Sequence, residues 1–126
     1  MSEKMTDTFD FQELAQRGIP LKSFEAGEKV FLQDEPGEHM FIVRTGQVNI
    51  ITFGTVLENV GPNGIFGEMA LIDDAPRSAA AIASEPTEVA QIDKPAFLEM
   101  IAHEPQIALH VMSMLATRIR RMNDSL

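Results

Sequence analysis

Cysteine is absent from this chain of 126 residues, so neither a disulfide framework nor a thiolate metal site can form. No apolar run approaches the roughly 20 residues needed to span a bilayer. The opening MSEKMTDTFD also lacks an apolar signal core, so no membrane insertion and a cytoplasmic location are expected. Basic residues are few. Ten Lys and Arg stand against nineteen Asp and Glu, giving a net charge of -9, which disfavours DNA and anionic lipid as partners. Histidine is scarce too. His39, His103 and His110 lack metal-ligand spacing, so surface or capping roles are expected, and no metal or other cofactor. A metal-dependent enzyme built on strands would cluster its histidines there, and only His39 falls on a predicted strand. Asp73 and Asp74 have no adjoining acid–base partner and read as a solvated turn. No catalytic residue is expected, and an enzyme is disfavoured.

What remains is a chain with room for one domain and an ordinary core. Residues 1–9 read as a flexible N-terminus and 10–126 as one folded domain. Asp10 to Gly18 predicts a short helix, with Asp10 as cap, Phe11, Leu14 and Ala15 on one face and Gly18 as stop. The period then changes to two. Strands are predicted at Leu21 to Glu25, Lys29 to Leu32, His39 to Arg44, Gln47 to Phe53, Thr55 to Val60, Arg77 to Ser84 and Thr87 to Asp93. Turns fall at Ala26-Gly27, Glu35-Pro36-Gly37, Thr45-Gly46, Gly54 and Gly61 to Gly64. Short strands so spaced predict a mainly β fold with flanking helices, an antiparallel jelly-roll barrel. Helical periodicity returns after Lys94, with Pro95 leading Ala96 to Ala102 and Pro105 opening a longer helix to about Met122. The eight methionines are mostly core filler by their spacing.

The segment IFGEMALIDDAPRSAAAIA, residues 65–83, carries the chemistry. Gly67 lets a backbone approach a ligand, and the residues after it can start a short helix. A phosphate against the amides of Glu68, Met69 and Ala70 would satisfy unpaired N–H groups at the positive end of the helix dipole. Arg77, beyond the Asp73 to Pro76 turn, has a planar fork that can grip two phosphate oxygens. A carboxylate at Glu68 makes sense beside a phosphate if it accepts hydrogen bonds from sugar hydroxyls while Arg77 balances its charge. Losing either residue is expected to carry no folding penalty.

Gly67 to Leu71 and Pro76 to Ala79 resemble the phosphate-binding cassette of the cyclic-nucleotide-binding domain family. Gly27 to Val30, Met40 to Gly46 and Pro62 to Phe66 extend the resemblance over roughly residues 20–122. It implies a non-enzymatic receptor, with cyclic AMP the first expectation and cyclic GMP the alternative. It further implies that Arg77 and the Gly67 to Ala70 amides hold the cyclic phosphate, with Ser78 and Ala79 adding contacts. Glu68 would hold the ribose 2′-hydroxyl, Ile50 and Leu57 would wall the base, and Asn123 would reach it from the helix end. Members that act as transcription factors continue into a helix-turn-helix, whereas this chain stops at Leu126. The output is therefore expected to be an effector protein rather than direct DNA binding. From another class, the alternative is a structural or interaction jelly roll that no longer binds nucleotide.

In the last helix, Ala108, Met112, Leu115, Ile119 and Met122 recur at steps of four, three, four and three, the seam of a two-stranded coiled coil. Ile107, Val111 and Met114 form a second stripe. Two apolar faces predict a homodimer, and the resemblance adds a lid role for the helix over residues 105–122.

Overall fold

The computed structural model describes residues 9–124. The flexible start expected for residues 1–9 lies, apart from Phe9, outside the described residues. The chain divides into two compact units. One runs from Asp10 to Lys94, and the other combines Phe9 with residues 95–124.

The first unit contains α1 (Phe11–Gln16), β1 (Leu21–Phe24), β2 (Lys29–Phe31), β3 (His39–Thr45), β4 (Val48–Thr52), β5 (Thr55–Val60), β6 (Ile65–Phe66), α2 (Met69–Ile72), β7 (Ala80–Ala83) and β8 (Thr87–Asp93). Asp10 caps α1 as expected, its carboxylate accepting from the Glu13 amide at 3.1 Å. The strands form two four-stranded antiparallel sheets, ordered β1-β8-β3-β6 and β2-β7-β4-β5. The pairing is nested. β4 and β5 meet at a two-residue turn, Phe53-Gly54, whose φ values of 48° and 77° suit a tight hairpin. β3 then pairs with β6, β2 with β7 and β1 with β8, as rungs of one long hairpin folded over on itself.

Both sheets send side chains into one core. Phe41, Val43, Phe66 and Val89 come from one sheet, and Val48, Val60 and Ala81 from the other. Phe24, Val30, Phe31 and Ile50 pack against this cluster. The mainly β jelly-roll class therefore holds, but the expected barrel does not close. The edge strands β2 and β6 have three and two residues, too short to carry a hydrogen-bonded ladder from one sheet to the other. β6 itself was not foreseen, because two residues show no period. Arg77 to Ala79 also lie outside β7, which starts at Ala80. The Arg77 backbone instead bonds a loop, its N–H donating to the Glu35 carbonyl and its own carbonyl accepting from Asp34, both at 2.8 Å.

The second unit carries α3 (Lys94–His103), which opens at the unit boundary, and α4 (Gln106–Asp124). On α4, Val111 is buried, while Met112, Ile119 and Met122 are exposed and Ala108 and Leu115 lie between. His103 Nδ1–H donates to the Glu99 carbonyl at 3.1 Å, a capping use of the imidazole. Among the described residues no helix is long and apolar enough to cross a membrane, and no cluster of side chains could hold a metal ion.

Candidate functional site

Gly67 follows β6 and turns the chain into α2 with φ +75°, a left-handed conformation that favours glycine. The turn is also crowded. A Cβ there would stand 2.9 Å from Arg77 Nη1, 3.2 Å from Phe41 and 3.3 Å from Phe31. Glu68 follows at the N-cap position just before α2 and is only 6% exposed, and its side chain makes no capping hydrogen bond to the helix. The Ala70 amide is already engaged, donating to the Gly67 carbonyl at 3.3 Å, and the Leu71 amide donates to the Glu68 carbonyl at 3.0 Å. Met69 is exposed and Ala70 half-buried.

Arg77 is the centre of the site and is 8% exposed. Its Nη1 donates to the Gly67 carbonyl at 2.9 Å and its Nη2 to the His39 carbonyl at 2.8 Å. The guanidinium carbon lies 4.0 Å from the centroid of the Phe31 ring, a cation–π stack. Phe31 in turn packs on Phe41 and Phe66, with ring centroids 5.9 and 6.0 Å away. Arg77 Nε is buried with no hydrogen-bond partner among the described residues. Burial pulls the guanidinium pKa below its ordinary value, opposed by the nearby charges of Glu68 and then Glu35. A buried cation with an unmatched donor, beside a buried carboxylate and a glycine turn, can take an anionic ligand that also offers hydroxyls.

Gly67, Glu68 and Arg77, which the sequence singled out together, are therefore brought together. The expectation that Arg77 is indifferent to folding is corrected, because two backbone carbonyls and an aromatic face depend on its side chain. Ser78 is exposed, and its carbonyl accepts from Thr52 Oγ1 at 3.4 Å; Ala79 is buried just before β7. Ile50 pairs with Ala81 on one side and Glu58 on the other. A register shift between Ile50 and Ile51 makes Leu57 the extra residue of a β-bulge, 60% exposed. Asn123 is exposed on α4, in the other unit. Sequence reasoning missed Phe31, Gly37 and the His39 carbonyl. Gly37 stood in a predicted turn, but nothing local ties that turn to Arg77, where a Cβ on Gly37 would come within 2.3 Å of Nε.

Comparison with known proteins bears on the family and the fold. The CRP-like cAMP-activated global transcriptional regulator of Mycobacterium tuberculosis is 32% identical over 108 residues, which cover 82% of this chain and 48% of that protein. The chain spans about half the length of the curated Mycobacterium and Thermus relatives it matches. The crystal structure of Thermus thermophilus catabolite activator protein superposes with a TM-score of 0.77 at 29% identity, covering 90% of this chain and 56% of that one. A chain from work on a cyclic-GMP-dependent signalling pathway that regulates bacterial phytopathogenesis gives a TM-score of 0.72 at 28% identity, covering 90% of this chain and 96% of that one. The family model described as the cyclic nucleotide-binding domain matches residues 21–104, a span that holds both sheets and the whole Gly67 to Arg77 site, and the chain accordingly belongs to the cyclic nucleotide-binding domain family.

Proposed function

We propose that this protein is a non-enzymatic receptor for a cyclic nucleotide, with cyclic AMP as its ligand. One observation carries the reading: Gly67-Glu68 and Arg77 are joined through the 2.9 Å bond from Nη1 to the Gly67 carbonyl, which puts a buried cation and a buried carboxylate on one glycine turn. Arg77 and the amides after Gly67 take the cyclic phosphate, and Ser78 and Ala79 flank it. Glu68 takes the ribose 2′-hydroxyl, while Ile50 and Leu57 meet the base. Binding is passed to an effector protein by a homodimer paired through the Ala108, Met112, Leu115, Ile119 and Met122 face of α4. The exposure of Met112, Ile119 and Met122 supports that face. The Mycobacterium relative, named as cAMP-activated, supports the choice of ligand.

The bonds that Arg77 makes within the fold favour a second reading, since a jelly roll that had stopped binding nucleotide would still keep them. Calorimetric titration with cyclic AMP, cyclic GMP and linear 5′-AMP separates the cases. Saturable binding of cyclic AMP in preference to the other two supports the proposal. Preference for cyclic GMP makes the protein a sensor of that nucleotide, and no heat from either cyclic form leaves the structural reading.

A further inference from the structure

Arg77 is held by more than its hydrogen bonds. Phe31 sits half-buried at the end of β2, and its ring lies 4.0 Å from the guanidinium carbon. Gly37 lies in the loop before β3, where a Cβ would meet Arg77 Nε at 2.3 Å, the guanidinium carbon at 2.5 Å and Nη2 at 2.8 Å. A flexible side chain would normally swing away from such a clash. This one is tied at both ends of its fork, to Gly67 and to His39, so swinging away breaks a hydrogen bond. The same loop is anchored to the Arg77 backbone through Asp34 and Glu35, so loop and guanidinium cannot move apart easily.

We propose that Phe31 and Gly37 are positioning residues for Arg77: the Phe31 face carries the guanidinium, and the absence of a side chain at Gly37 leaves it room. Together they fix its orientation towards Gly67 before any ligand arrives. The effect on affinity rests on the proposed reading of Arg77 as the phosphate clamp. Pre-orientation raises affinity because a fork already in place loses little rotamer freedom on binding.

The test uses the full chain and the variants Phe31→Leu, Phe31→Tyr and Gly37→Ala, each titrated with cyclic AMP. Loss of the cation–π contact should weaken binding by roughly two- to thirty-fold in Phe31→Leu. Phe31→Tyr, which restores the ring, should recover most of that loss. Gly37→Ala should weaken binding by about tenfold or more, since it displaces a charged donor. A second readout needs no nucleotide: the Arg77 Nε–H and Cδ protons, observed by NMR, should be shifted by the Phe31 ring current in the parent. They should lose that shift in Phe31→Leu, keep it in Phe31→Tyr and move in Gly37→Ala. Equal losses in Phe31→Leu and Phe31→Tyr would assign the effect to packing and overturn the proposal, as would unmoved Arg77 resonances in Gly37→Ala. A parent that binds no cyclic nucleotide sinks the receptor reading, and the resonances still decide whether Phe31 and Gly37 orient Arg77. If Phe31→Leu does not fold, Gly37→Ala and Phe31→Tyr carry the decision alone.

Discussion

Arg77→Ala should separate into two losses of different origin. In the ligand-free protein it removes two charge-assisted hydrogen bonds, at 2.9 Å to Gly67 and 2.8 Å to His39, together with the stack on Phe31. Hydrogen bonds from a charged donor contribute about 1.5–3 kcal/mol each, and a cation–π contact about 0.5–2 kcal/mol. Against this, the substitution relieves a buried charge whose lowered pKa marks a desolvation cost. A net destabilisation of about 2–4 kcal/mol follows, within the roughly 5–15 kcal/mol that keeps a domain folded. The second loss is in binding. A ligand phosphate left unpaired in a largely dry site should cost about 2–5 kcal/mol, or roughly thirty-fold to several thousand-fold in affinity. Urea denaturation measures the first and calorimetry with cyclic AMP the second. Arg77→Met keeps an apolar stem over Phe31 without the charge, so it should recover part of the stability and none of the affinity. An Arg77→Ala protein that binds like the parent would refute the clamp. One that loses affinity with no change in denaturation midpoint would refute the dependence of the fold on this side chain.

The remaining predictions concern the sugar and the helix. A 2′-deoxy cyclic nucleotide should bind more weakly than its ribose form, because Glu68 would then be left without the hydroxyl it accepts from, and Glu68→Gln should narrow that gap. Equal calorimetric affinities of the two ligands for the parent would remove Glu68 as the sugar anchor. If the proposed α4 pairing holds, the parent should sediment as a dimer and Leu115→Asp as a monomer, since the substitution sets two like charges together across a two-fold seam; a variant that still sediments as a dimer would remove that seam. Hydrogen exchange over residues 105–124 should slow on addition of cyclic AMP, and unchanged protection there would take away α4 as the route of the signal.

The elements that were legible in the sequence share a cause: their signals are local. The Asp10 cap, the strand starts at Leu21, Lys29, His39, Thr55 and Thr87, and the break to helix near Lys94 all follow from period and punctuation within a few residues. Gly67 with Glu68, and Arg77 ten residues on, were likewise readable because they stand in one short segment among other spaced matches, Met69 to Leu71 and Pro76 to Ala79. What was not legible is held by contacts between distant residues. Arg77 to Ala79 looked like strand, yet the Arg77 backbone is drawn to Asp34 and Glu35. Gly37 looked like an ordinary turn glycine, and only the folded chain shows that its missing side chain makes room for Arg77. Open sheet edges were equally invisible, since closure depends on how far β2 and β6 extend and two residues carry no pattern.

The nested pairing of strands also sets a timetable for the chain. Among the described strands only β4 and β5 pair as neighbours in sequence, whereas Leu21 must wait for Ala90, and Lys29 for Ile82. Topologies dominated by such distant pairings fold slowly, in milliseconds to seconds, because loop closure precedes the contacts that compensate it. On a ribosome neither sheet can be completed until residues 80–93 have emerged, and Arg77 leaves the tunnel just ahead of them. The guanidinium that ties Gly67 to His39 thus becomes available at almost the same moment as the two strands that complete the sheets, so the site and the sandwich are finished together.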